Sequence, residues 1–274
     1  MLRAAIRATV WTGKVMKRMG LTAAAVLVLA SSASAADIAG SGPRLAAAPL
    51  FTWTGFYVGA HAGYAWTDNE VALTSVYPGG LFQIDVGNGT LATKAKVEGD
   101  GASGGIQAGY NVQFGGLVLG LEADVSLMDA AAKGTYSAPD LFLFYGIMTH
   151  STFRSELDAL GTLRARAGMA FDRALFYITG GVAVGEVTNG FDVSIPGFYE
   201  NGWSHSRTEW GWAAGAGLEY AIWDNLSAKL EYLYYNLGDR TIRYMDPPNF
   251  GDEYLDYRFK HQGSTARAGL NYRF

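Results

Sequence analysis

The last ten residues, Thr265 to Phe274 (TARAGLNYRF), constrain the chain most. In an extended strand successive side chains point to opposite faces. Ala266, Ala268, Leu270, Tyr272 and Phe274 therefore share one face, and Thr265, Arg267, Gly269, Asn271 and Arg273 the other. One face is apolar and ends in two aromatic rings. The other is polar and carries two arginines. A soluble sheet would turn the first face to a core, and a cylinder in a bilayer would turn it to lipid.

Seven further segments repeat the pattern: 56–66, 106–114, 117–127, 156–171, 176–184, 210–220 and 226–235. In the third, Leu117, Leu119, Leu121, Ala123, Val125 and Leu127 oppose Gly120, Glu122, Asp124 and Ser126. In the fourth, Leu163, Ala165, Ala167 and Met169 oppose Asp158, Thr162, Arg164 and Arg166. Gly115-Gly116, Asp172-Arg173 and residues 221–225 read as short turns. Residues 67–104, 128–153, 186–208 and 236–264 read as long polar loops. Long and short connections thus alternate, as they do when short turns share one side of a membrane and long loops the other. Segments of about 9–11 residues, tilted ~45°, cross the hydrocarbon layer. No intervening stretch reads as an amphipathic helix able to cover a sheet. A soluble eight-stranded cup would need its large apolar residues inside; here they share a face with the aromatic rings. The reading is all-β: an eight-stranded antiparallel up-and-down transmembrane barrel.

The N-terminus reads as an export signal. Arg3, Arg7, Lys14, Lys17 and Arg18 precede an apolar run, 21–30, and small residues at 33–36. The run is too short for a spanning helix. The domain reading is a signal peptide over 1–36, a periplasmic leader over 37–52 and the barrel over 53–274. Cleavage removes five basic and no acidic residues, leaving 16 basic against 25 acidic. That acidity, with no basic cluster in the body of the chain, argues against nucleic acid as a partner. The absence of cysteine removes disulfides and thiolate metal sites.

Closure in lipid satisfies every backbone group internally, and eight strands leave room only for side chains. The inward face must then balance its own charges. Heights counted from the short-turn end pair Glu122 with Arg166 and Asp124 with Arg164, and bring Lys229 and Glu231 to Glu219 and Arg267. Asp158 belongs to the same inward set. The pairing implies a plug, not chemistry. Outward aromatics form two girdles: Tyr64, Trp66, Trp210, Trp212, Tyr232 and Tyr234 toward the loops; Phe56, Phe114, Phe171, Phe176, Tyr220, Tyr272 and Phe274 toward the turns. Outer-membrane lipid, with its lipopolysaccharide leaflet, is the expected surrounding partner.

Three stretches, WTGFYVGAHAGYAW (53–66), KLEYLYYNLGD (229–239) and ARAGLNYRF (266–274), resemble the small alphaproteobacterial outer-membrane porin-like, or immunogenic, β-barrel proteins. The resemblance implies a barrel like the membrane domain of outer membrane protein A, with a periplasmic N-terminus and without that protein's peptidoglycan-binding domain. It implies roles in envelope integrity and host contact. Leu270, Tyr272 and Phe274 are similar to the signal read by the barrel-assembly machinery. Some relatives are described as haem-binding, and His150, His205 and His261 fall in or beside the expected loops, with aromatics nearby. No spacing ties these histidines together. Nor does any Ser-His-acid spacing support an enzyme, and His61 is expected inside, near mid-height. The reading is a structural surface barrel with at most small-solute permeability, and the alternative is a loop-borne site for haem or a host protein.

Overall fold

A computed structural model describes residues 51–141, 146–245 and 251–274. The signal-peptide reading and most of the leader lie outside these residues. The described chain forms eight antiparallel strands: β1 (Gly55–Val76), β2 (Lys94–Phe114), β3 (Leu117–Pro139), β4 (Met148–Phe171), β5 (Ala174–Ile195), β6 (Tyr199–Ala221), β7 (Leu226–Met245) and β8 (Tyr254–Arg273). Each pairs with its sequence neighbours, and β1 closes on β8, with Tyr57 opposite Arg273. A short helix, α1 (Leu81–Gly87), lies between β1 and β2.

The strands run 20 to 24 residues, about twice the span expected from the alternation. Most of the stretches read as long loops are therefore strand. The reason lies in where the polarity changes. On β1 the outward series runs Phe56, Val58, Ala60, Ala62, Tyr64 and Trp66, then turns to Asp68 and Glu70 without changing face. On β3 it runs from Leu127 to Asp129 and Lys133. Outward charge begins where the lipid ends, and the strand carries on into water. Both aromatic girdles stand on the outer wall, from Phe274 at 74% exposure to Trp210 at 71%.

The lumenal side changes in the opposite sense. The turn-side mouth is closed by Trp53, Val118, Leu175, Tyr177 and Ala221. Phe51, read as part of a featureless leader, packs beneath the Arg273 guanidinium at 4.5 Å. Above the mouth comes a charged layer, then an apolar belt that includes Ala65, Met128, Leu160, Ala213 and Leu233. Highest is an aromatic core of Phe153, Phe191, Tyr244, Tyr257 and Phe259, joined by Phe82 of α1.

Bulges re-aim the wall where the tiers meet. One falls between Leu157 and Ala159 on β4. Below it the even residues Arg164 and Arg166 face the lumen; above it Leu157, Ser155 and Phe153 do. Asp158 is the extra residue and points outward, exposed. The inward assignment of Asp158 is thus corrected: the alternation is broken by one residue just before it.

The chain has no cysteine of its own, so single cysteines report on faces cleanly. A charged, membrane-impermeant maleimide on whole cells should label Asp129→Cys and Asp158→Cys and spare Leu121→Cys and Val125→Cys. Labelling of the second pair at the rate of the first would displace the lipid boundary.

Candidate functional site

The charged layer is built by residues at the centre of five strands. Glu122 and Asp124 come from β3, Arg164 and Arg166 from β4, Glu219 from β6, Lys229 and Glu231 from β7, and Arg267 from β8. All are buried, none above 4% exposed. Four cations meet four carboxylates, so the layer is neutral.

Arg164 is its hub. Nη2 donates to Glu122 at 2.7 Å and to Asp124 at 3.0 Å, Nη1 to Glu231 at 3.1 Å, and Nε to Thr162 at 2.9 Å. Arg267 joins Glu231 to Asp124 from the opposite wall, at 2.7 and 2.9 Å. Arg166 donates to Glu219 at 2.8 Å and lies 3.9 Å over the Tyr177 ring. Charge-assisted bonds of this kind are short and strong when desolvated.

Both ion pairs expected by height form, Glu122 with Arg166 and Asp124 with Arg164, but neither pair is in register. In register Glu122 faces Arg164, and Arg166 faces Gly120, a displacement of two residues. Adjacent strands of a tilted barrel are staggered, so equal counts from the turns are not equal heights. Asp124 does meet Arg164, while Arg166 lies 3.7 Å from Glu122. Glu231 faces Arg267 and bonds it. Lys229 stands opposite Glu219 but crosses the lumen to Glu122, at 3.0 Å. Glu219 is occupied by Arg166, Ser227 and Asn271.

Two tyrosines complete the layer, and the sequence reading missed both. Tyr57 donates to Glu122 and Tyr177 to Glu231, each at 2.8 Å. Tyr57 sits directly opposite Gly109, and Tyr177 opposite Gly217. A Cβ at either glycine would collide with the facing ring. Only glycine lets the ring lie flat across the neighbouring strand, which brings the hydroxyl to mid-lumen. A tyrosine at an inward position with glycine at the same position of the next strand was the available signal. His61 is inward and buried, between Gln107 and Ser126 at 2.9 Å each.

The three outer histidines lie on strands, not loops, since the strands extend past the membrane. His150 of β4 contacts Ser137 at 2.7 Å. His205 of β6 is exposed. His261 of β8 is buried inside, 3.0 Å from Asn189. They occupy three separate environments. Among the described residues no group of three or more His, Cys, Asp or Glu is placed to hold a metal ion.

At the outer end α1 carries Asp85 beside Asp140 and Glu253. Burial first, and then those two carboxylates, push its acid pKa up to about 6. A raised carboxyl pKa favours the protonated folded form.

A closed cylinder with lipid-facing rings outside and a neutral ionic layer within defines an outer-membrane β-barrel. Residues 21–274 match the family model described as the outer membrane protein beta-barrel domain, and the chain belongs to that family. It is similar to the 31 kDa outer-membrane immunogenic protein of Brucella melitensis, 35% identical over 93% of this chain and 98% of that one. The 25 kDa outer-membrane immunogenic protein of Brucella abortus is 27% identical over 95% of this chain and all of its own. Among solved structures, the outer membrane protein OprG from Pseudomonas aeruginosa aligns with 81% of this chain and 96% of its own, with TM-score 0.47 and 15% identity. The protein resides in the outer membrane of a Gram-negative envelope.

Two outcomes follow from this geometry. Arg164→Met strands three carboxylates and should destabilise the refolded barrel by about 3–5 kcal/mol in urea titration, the range for a broken buried pair; Arg164→Met/Glu122→Gln should recover a large part. The α1 segment should grow more stable as pH falls from 7 through 6 toward 4, because Asp85 is neutralised there. Amide exchange over 81–91, corrected for intrinsic rates, should slow across that range in the parent and change little in Asp85→Asn.

Proposed function

We propose that this protein is a structural surface barrel without an open pore. It stiffens the outer membrane and presents its extracellular tier as an antigenic surface. The observation that carries the reading is the neutral, fully buried ionic layer around Arg164, backed by the apolar belt above it. An open channel needs hydrated, mobile charge, and these charges are spent on one another. A void on the turn side of the layer, against Tyr57, Glu219 and Asn271, and another above it, among Leu157, Tyr235 and His261, each hold about one water molecule, roughly 10 Å³.

The outer wall suits lipid on its apolar band and lipopolysaccharide at its rim. Leu270, Tyr272 and Phe274, all exposed on the outer face, suit recognition by the barrel-assembly machinery. Contact with a host protein would use the extracellular tier. Haem capture is the weaker reading, since His150, His205 and His261 form no common site.

Planar-bilayer recording on refolded protein tests the proposal. The expected result is no steady conductance, with rare brief openings at most. Charge-deleting variants such as Arg164→Met should raise the frequency of openings. A large, stable, ohmic conductance in the parent protein would overturn it.

A further inference from the structure

Above the membrane the strand ladder of the barrel wall ends early between β6 and β7. β6 pairs with β5 up to Tyr199, but with β7 only from Trp212 to Ala221. β7 in turn continues to Met245, paired with β8 alone. The two backbones still meet at Gly211 and Leu237, and above that level residues 200–210 of β6 and 238–245 of β7 share no ladder pairing. A comparable break occurs where β2–β3 pairing ends at Glu98 and Lys133. That one is covered by the chain around α1, with Tyr136 bonded to Gly89 and Thr90 to Pro139.

Side chains hold the β6–β7 slit. Trp203 Nε1 donates to the Met245 carbonyl at 2.7 Å, its ring stacked on Phe191 at 5.8 Å. Arg240 reaches Glu209 at 3.8 Å. Between these two latches Ser204, His205, Ser206, Arg207 and Thr208 are all exposed. By alternation His205 and Arg207 belong to the lumenal side, where lower β6 is buried at Ala213 and Glu219. Their exposure shows that solvent reaches behind the wall here.

We propose that this slit is a strand-addition site: it takes an extended peptide segment, with carboxylate side chains at alternate positions, onto the free edge of β6. An unpaired edge is a row of donors and acceptors whose spacing only another strand matches throughout. An added strand lies ~4.8 Å from its neighbour, so seating one between β6 and β7 requires roughly twice that and release of the Trp203 latch. Ser204, Ser206 and Thr208 set small side chains on the outward face of the edge. Arg207 and His205 line the inner face, and with Arg240 and Glu209 opposed they leave one positive charge in surplus there. A second upright copy in the same membrane does not fit. Its β6 would approach tilted the other way, and strands inclined ~40° each would cross at about 80° rather than run side by side. The occupant is then a flexible acidic segment of a different protein.

The test uses refolded full-length mature barrel in detergent micelles and a fluorescent nine-residue peptide alternating Thr and Glu, read by anisotropy. A second peptide carries N-methyl groups on alternate amides, which removes strand pairing and keeps the charge. Ser206→Cys/Thr241→Cys, joined by a short bismaleimide, closes the slit. Trp203→Phe keeps the ring on Phe191 and removes the latch bond. Expected are saturable binding to the parent, at least about tenfold weaker binding after cross-linking, none with the N-methylated peptide, and severalfold tighter binding to Trp203→Phe. No binding to the parent overturns the proposal. So does equal binding after cross-linking, or equal binding of the N-methylated peptide, which would mark mere charge attraction to the rim or micelle.

Discussion

The ionic layer centred on Arg164 is what the rest of the structure depends on. Taking eight charges out of water costs several kcal/mol each unless every one is paired and bonded. Here the compensation is shared: Glu122 receives Arg164, Lys229 and Tyr57, and Glu231 receives Arg164, Arg267 and Tyr177. No pair is separable, because each group serves two walls of the cylinder. The layer cross-braces β3 and β4 to β6, β7 and β8 through the lumen, where a sheet alone offers only neighbour-to-neighbour bonds. It also pins register, since a slip of one residue would carry a charge into lipid.

The cylinder is two structures end to end. Its lower half is a membrane protein, apolar outside and charged inside. Its upper half is a soluble barrel, charged outside at Asp68, Glu98 and Lys133 and aromatic inside at Phe153, Phe191 and Tyr257. The strands cross the boundary without breaking, and only the solvent on each face changes. At most strand pairs the same backbone ladder therefore serves both halves, and the rim is largely a walled surface instead of a set of loose loops. The β6–β7 slit begins at the level of Trp212, in the girdle where the two halves join.

The membrane half was legible because its rule is simple: lipid demands an unbroken apolar face, and the closing TARAGLNYRF states it plainly. Glu122, Asp124, Arg164, Arg166, Glu219, Lys229, Glu231 and Arg267 all lie inside for that reason. The upper half was not, because alternation there reverses its sense. Val187, Asn189, Phe191 and Val193 alternate inward, while Glu186, Thr188 and Asp192 between them face water and read as loop. Asp158 was misplaced since a bulge adds one residue that no local composition announces. The register within the ionic layer, and with it the reach of Lys229 to Glu122, escaped for a global reason: stagger is a property of the closed cylinder, not of any strand. The Tyr57–Gly109 and Tyr177–Gly217 pairs needed register before they could be seen.

The central claim is that the lumen is sealed by immobile charge that bulk water does not reach. Arginine side-chain NMR on refolded, ¹⁵N-labelled protein tests it directly. Arg164, fully buried and bonded through three nitrogens, should give resolved Nη resonances with arrested rotation and slow exchange of its guanidinium protons with water. Averaged signals that exchange as fast as those of a solvated arginine would show a wet, mobile interior, and the account of a sealed barrel would be wrong.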